Sequence, residues 1–397
     1  MSGHQSYRHV AFTSVPLSPE SQLMTQKQKL QRDLLQSNQT RHRLGIDTAE
    51  YSHIFATLAA MAQFVPRTIF QIPETIPKTY FLGHHQAGAS KIKTILPNIS
   101  IVLECRDFRL PLSTQNPSLE RAIAGRQRIV VYTKSDLGTD STTARHSLKE
   151  MYGDSAVFWD KQKPATTTAL LKRLKDSARV VDSLVGLRAL VVGMPNVGKS
   201  TLLNSLRNAG LSGKVAKAAK TGDQAGVTRK IGTAVRVVPS EDRGGVGGGV
   251  FLMDSPGIFQ PYVEDGETMI KVALAHGIKK GLIHDEILAD YLLYCMNRWD
   301  PKLYQRYCEP TNDVHEFLAA VAKKDGKLRP GGTANITEAA ARVLSQWRQG
   351  KLGRYVLDDL SGRGILTHQA NIEQPPQSIS QAKKQQKLER RQTRETN

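Results

Sequence analysis

The stretch Leu190–Leu206, LVVGMPNVGKSTLLNSL, passes from an apolar strand pattern through a glycine-rich turn into a helix pattern. It fits G-x-x-x-x-G-K-[ST] in full, at Gly193, Gly198, Lys199 and Ser200, with the strand before and the helix after that this pattern requires. Such glycines let backbone N–H groups curl around a β-phosphate, and the helix start adds its dipole. Lys199 is then expected to reach the β and γ oxygens and Ser200 to hold Mg²⁺, with Val197 and Thr201 in the same nucleotide-contacting set.

Two further segments complete a nucleotide site. DSPG, Asp254–Gly257, follows an apolar strand pattern. Asp254 is expected across from Ser200 as a second Mg²⁺ ligand, and the Gly257 N–H at the γ-phosphate, so that this turn senses hydrolysis. Between them, GVTRK offers Thr228 as a ligand of Mg²⁺ and the γ-phosphate, counted with Lys199 among the catalytic residues. TKSD, Thr133–Asp136, closes another buried strand. A carboxylate at Asp136 accepts two hydrogen bonds from guanine, at N1–H and the 2-amino group. Adenine offers neither donor and would leave Asp136 unpaired, which is where large discrimination arises. Lys134 can lay its stem along the base.

The order of these segments decides the architecture. The base reader precedes the phosphate loop, whereas the usual guanine-nucleotide fold has it after. Strand patterns starting at Ile99, Arg128, Ser155 and Leu187 alternate with helix patterns, which predicts an α/β, mostly parallel sheet with helices on both faces. These strands complete one sheet with the pair IGTAVRVVP and GGVFLMDSPG only if the chain is circularly permuted. Asn116 and Pro117 mark the start of a short helix. Beyond Tyr262 the strand signal gives way to helical periodicity, so the expected layout is an N-terminal extension at 1–66, a P-loop domain at 67–265, a smaller all-α domain at 266–365 and a basic disordered tail at 366–397.

The 397 residues carry a net charge of +19, which favours a polyanionic partner such as RNA, or an anionic membrane surface. Three cysteines without metal-ligand spacing, Cys105, Cys295 and Cys308, argue for a reducing compartment and against zinc or disulfides. The best apolar run, Ile54–Val65, is too short to span a bilayer. Residues 1–45 are basic and rich in Ser, Gln and Thr, as in a mitochondrial transit segment; a plain polar extension is the other reading.

YFLGHH, IVLECRDFRLPLSTQNP, TKSDL, GMPNVGKSTLLNSL, GDQAGVTRK and DSPGI, in this order, resemble the circularly permuted ribosome-biogenesis GTPases, nearest to their mitochondrial branch. The resemblance is close from Tyr80 to Tyr262, looser in the helical region, and absent from 1–60. It implies GTP hydrolysis coupled to maturation of the large ribosomal subunit, contact with its rRNA, and a matrix location peripheral to the inner membrane, by a monomer. It also implies His84 as the catalytic group, set ahead of the adjacent His85, and Asn196 as a K⁺ ligand. Ile258 stands where a water-orienting Gln is usual and cannot polarise water. Thr133 replaces the usual Asn, which is expected to remove a bracing amide; Ala225 and Arg229 also depart from the family pattern. The rival readings are a GTP-gated RNA-binding scaffold with negligible hydrolysis and a membrane-associated signalling G protein.

Overall fold

The computed structural model describes residues 64–80, 83–181, 185–211, 216, 218, 219, 231–260, 262, 263, 265–373, 380, 381, 384 and 388, with the backbone alone for Gly83 and His84. The extension at 1–63, the basic stretch around Thr228 and most of the tail lie outside these residues. The chain divides into two units, 1–65 and 66–397, and the second holds the elements below.

Six strands form one sheet: β1 (Ile101–Asp107), β2 (Arg128–Thr133), β3 (Ala156–Phe158), β4 (Leu187–Gly193), β5 (Val235–Val238) and β6 (Val250–Asp254). Their order across the sheet is β3-β2-β1-β4-β6-β5. All neighbours are parallel except β5, which pairs antiparallel with β6. The permutation is visible in this order. The chain starts in the middle, at β1, and moves outward through β2 to β3. It then returns to β4 on the other side of β1 and builds the opposite half. The crevice between β1 and β4 is therefore a topological switch point, where open α/β sheets bind ligands beyond the strand ends.

The central strands are apolar on both faces, and alternation sorts their side chains between two layers. Ile101, Leu103 and Cys105 of β1 face the same core as Ala189 and Val191 of β4. Val102, Leu190 and Val192 face the other core. Helices α1 (Gly83–Ile95) and α2 (Pro117–Ala122) cover the second layer through Ile92 and Leu119. Helices α4 (Pro164–Val181) and α5 (Lys199–Gly210) cover the first through Leu170, Leu174, Leu202 and Leu206, while α3 (Ala144–Tyr152) packs near the β2 edge.

From Gly266 onward the described chain is helical: α6 (Gly266–Leu274), α7 (Asp285–Trp299), α8 (Val314–Lys324), α9 (Ile336–Arg348) and α10 (Gly362–Glu373). Asp265, Asp313 and Asn335 cap α6, α8 and α9 by accepting from their first backbone N–H groups. Among the described residues no helix is long and apolar enough to cross a membrane.

Two boundaries differ from expectation. The third strand was expected over Ser155–Asp160 but holds three residues, Ala156–Phe158: Trp159 N still donates to Tyr132 O at 2.8 Å, but its carbonyl accepts from Ser135 N at 3.2 Å, beyond the end of β2 and outside the regular ladder. The boundary at 365/366, drawn where basic polar composition begins, falls inside α10. The Ser361 hydroxyl accepts from Gly364 N there, and His368 Nε2 lies 3.0 Å from Gln115 Oε1, so local capping and an anchor outweigh composition.

Asn116 is 1% exposed and does two things: its Oδ1 caps α2 at Ser118 N and Leu119 N, and its Nδ2 donates to Ile258 O at 3.0 Å. Replacing Asn116 by Ala should destabilise the protein by about 2 kcal/mol, the sum of a lost cap and an unpaired buried carbonyl. Asn116→Asp should recover only the cap. Chemical denaturation of the three proteins checks this ordering.

Candidate functional site

The strand register brings the site together. Asp107 pairs with Thr133, Cys105 with Gly193, and Val191 with Asp254, so β1, β2, β4 and β6 end at one edge of the sheet. Gly193 leaves β4 at φ 142°, and a Cβ there would lie 2.3 Å from the Cys105 carbonyl oxygen, so only glycine fits. Gly198 opens α5 at φ 95°, and Asn196 takes a left-handed turn at φ 57° between them. Lys199 is 6% exposed, and its Nζ donates to Met194 O at 2.6 Å and Gly193 O at 3.2 Å. Burial pulls its pKa below the ordinary lysine value, against the opposing pull of Asp254. Phosphate oxygens would replace these neutral acceptors with charged, stronger ones.

Ser200 Oγ donates to Asp254 Oδ2 at 2.6 Å. Asp254 is 5% exposed, and its Oδ1 has no hydrogen-bond partner among the described residues. Burial raises its pKa, with Ser200 and Lys199 pulling the other way. A hydroxyl beside a buried carboxylate with one unpaired oxygen is a hard-oxygen donor pair and suits Mg²⁺.

The turn after β6 packs directly on the phosphate loop. A Cβ on Gly257 would meet Pro195 Cα at 2.6 Å, and Ile258 N donates to Gly193 O at 3.2 Å. His85, 1% exposed, lies against the same turn: its Nδ1 is 2.8 Å from Gly257 O and 3.3 Å from Phe259 N. A protonated Nδ1 donates to the carbonyl and a bare one accepts from the amide, so the tautomer selects between the two contacts. His85 is thus part of the packing of the turn, beside Tyr80 at 5.9 Å. The backbone of His84 opens α1, while its side chain and all of Thr228 lie outside the described residues.

The loop after β2, Thr133–Asp136, reaches across to the phosphate loop. Thr133 is fully buried, and its hydroxyl faces Val197 O and, at 3.1 Å, Arg106 O. Thr133 has no amide to brace the loops as the usual Asn would, and its hydroxyl ties them instead. Lys134, at φ 53°, sends Nζ to Asn196 O at 2.9 Å and to Asp107 Oδ2 at 2.8 Å. Asp136 follows, half-buried, in the single turn Ser135–Gly138. The Asn196 side chain points elsewhere, its Nδ2 donating to His276 O at 2.7 Å, just past α6.

Sequence reasoning passed over Asp107. It is 1% exposed and ion-paired with both Arg109 and Lys134. Burial alone would raise its pKa, but those two cations hold it well below the usual carboxylate range. The available signal was a charged RDFR run, Arg106–Arg109, at the end of an apolar strand.

A family profile described as "50S ribosome-binding GTPase" matches residues 188–327. Mitochondrial GTPase 1 of Schizosaccharomyces japonicus is 36% identical over 305 residues, 71% of this chain and 90% of its own length. Mitochondrial ribosome-associated GTPase 1 of Xenopus tropicalis is 31% identical over 74% of this chain and 98% of its own. Ribosome biogenesis GTPase A of Bacillus cereus is 32% identical over 70% of this chain and 93% of its own.

Thr133→Val keeps the volume and removes the hydroxyl, leaving the Val197 carbonyl unpaired. Nucleotide affinity should fall about tenfold, the cost of roughly one unsatisfied buried acceptor. Thr133→Ser should keep wild-type affinity. Titration with a fluorescent guanine nucleotide measures both, and equal binding by the valine variant would mean that the hydroxyl does not couple the loops.

Proposed function

The chain belongs to the mitochondrial GTPase 1 family of ribosome-associated GTPases, and on that premise we propose that it hydrolyses GTP to drive assembly of the mitochondrial large ribosomal subunit, contacting rRNA through the helices after Tyr262 and the basic tail. It is a mitochondrial GTPase. One observation carries it: Thr133 and Lys134 of the base loop bond to Val197 O and Asn196 O of the phosphate loop. Loops joined in this way can close over a single ligand, with its purine at Asp136 and its phosphates at Lys199. The net charge of +19 supports a nucleic-acid partner.

In this reading Asp136 accepts from guanine N1–H and the 2-amino group, and Lys134 covers the base. The backbone at Val197 and Gly198, with Thr201, surrounds the phosphates. Lys199 neutralises the β and γ oxygens, and the Gly257 N–H meets the γ-phosphate. Ser200 and Asp254, with Thr228, would hold Mg²⁺, which supplies charge that offsets the phosphates. A K⁺ ion beside Asn196 would add to that, once Asn196 turns from His276. Ile258, 2% exposed and apolar, cannot orient water. His84, in the first turn of α1 and one residue before His85, takes that role. Slow turnover by the free protein follows, and with it the second reading: a GTP-gated scaffold on rRNA whose hydrolysis is negligible away from the ribosome. The protein acts as a monomer in the matrix, peripheral to the inner membrane.

The purified protein should hydrolyse GTP and not ATP. Asp136→Asn should weaken GTP binding by at least about a hundredfold, because the site's hydrogen bonds to guanine are lost. An ATP rate equal to the GTP rate would remove Asp136 from its role. His84→Ala should keep GTP affinity and lose turnover by roughly a hundredfold, the low end of general acid–base effects; unchanged turnover sinks the His84 assignment. With a non-hydrolysable GTP analogue the protein should sediment with large subunits, and turnover measured with and without subunits separates the enzyme from the scaffold.

A further inference from the structure

The base-reading loop is held from behind by the C-terminal helices. Arg109 is 3% exposed and grips Asp107 three times: through its own N at 3.1 Å, Nε at 3.0 Å and Nη2 at 2.8 Å. The same Asp107 Oδ2 takes Lys134 Nζ at 2.8 Å. Two cations therefore share one buried carboxylate, and the position of Lys134 depends on that of Arg109. The Arg109 guanidinium lies over the Trp347 ring of α9, 4.7 Å from its centroid, and its carbonyl accepts from Leu357 N at 2.8 Å.

The segment between α9 and α10 makes the same kind of contact on both sides of the base loop. Asp358 Oδ2 accepts from Leu112 N and Ser113 N, each at 2.8 Å, on the β1 side. On the other side Arg354 N donates to Asp140 Oδ2 at 2.8 Å, Asp140 N donates to Arg354 O at 2.9 Å, and Val356 N donates to Ser141 Oγ at 2.9 Å. Residues 354–358 thus strap the loop 109–113 and the loop 138–141, which flank Thr133–Asp136.

We propose that Asp107 and Arg109 are positioning residues of the guanine subsite, held in place by Trp347 and the 354–358 strap, so that affinity for the base depends on how the C-terminal helices are seated. This rests on the guanine-site reading above and adds its regulation. Coupling of this kind is reciprocal: whatever displaces α9 or the strap weakens guanine binding, and guanine binding steadies them by the same factor. The phosphate end joins this chain of contacts at second hand, through the bond from Lys134 Nζ to Asn196 O at 2.9 Å, so it feels the coupling less than the base end does.

The test uses the full-length protein with GTP, ITP and inorganic tripolyphosphate as probes. Asp107→Asn should weaken GTP and ITP by the same factor, about tenfold or more, as a buried charge-assisted contact to Lys134 is lost. Tripolyphosphate affinity should fall by a clearly smaller factor, since Lys134 meets the phosphate loop at the Asn196 carbonyl and not at Asp107. The double variant with Lys134→Ala should bind no more weakly than Lys134→Ala alone, since both remove one interaction. Arg109→Lys keeps the charge, loses the fork and should show the same signature; it decides the matter if Asp107→Asn does not fold. In wild-type protein, amide exchange at Arg354, Val356 and Leu357 should slow more with GDP than with tripolyphosphate. The proposal is overturned by variant GTP affinity within twofold of wild type, by additive double-variant losses, by equal loss of tripolyphosphate, or by exchange that ignores GDP. Wild-type protein that binds tripolyphosphate but not GTP would instead overturn the guanine-site reading.

Discussion

Two carbonyl groups of the phosphate loop, Asn196 O and Val197 O, accept hydrogen bonds from Lys134 and Thr133, and the rest of the site depends on those bonds. They exist because β1 pairs in parallel with β2 on one side and with β4 on the other. That pairing aligns the strand ends, and aligned ends leave the base loop one strand-width pair from the phosphate loop. Chain order plays no part in it. A sheet is indifferent to where the polypeptide is cut, provided each strand keeps its neighbours and both faces stay covered.

The central strand carries an unusual load for this. β1 is buried along its whole length, yet it holds Glu104, Arg106 and Asp107. Arg106 pairs with Glu104 at 2.6 Å and Glu120 at 2.7 Å, and Arg128 bridges the same two carboxylates. Buried ion pairs of this kind gain little net stability, because desolvation cancels most of the attraction. Their effect is on geometry: a carboxylate committed to two cations cannot swing away. At Asp107 this constraint falls directly behind the nucleotide loop, so the charges on β1 are better understood as fixing positions than as stabilising the fold.

How much of this could be read from the sequence follows from the range of each signal. β2 at Arg128–Thr133 and β4 at Leu187–Gly193 were legible to the residue, because strands buried on both faces are continuous apolar runs ended by turn-forming residues. The Asn116 cap was legible as well, since capping is local. Ser200 and Asp254 could be paired on motif spacing, and they lie 2.6 Å apart. What escaped is what depends on tertiary partners. Asp107 has no local pattern that announces Lys134, 27 positions on, or the Trp347 ring behind Arg109. The Thr133 hydroxyl could only be credited once the Val197 carbonyl was seen beside it. The 354–358 strap has no periodicity, so no element assignment could expose it.

The permutation has a mechanical consequence that an ordinary chain order would not share. After β6 the polypeptide runs through Gly257, packed on Pro195, and within ten residues enters α6. At the far end of α6, His276 turns at φ 63° and offers its carbonyl to Asn196 of the phosphate loop. The turn after β6 and the start of the helices are thus one continuous piece of chain, fastened to the phosphate loop at both ends. A second fastening, through Arg109 and the strap, joins the last helices to the base loop. The helical region is therefore tied to the phosphate loop just past α6, where His276 O meets Asn196, and to the loops flanking Thr133–Asp136 through α9 and the strap.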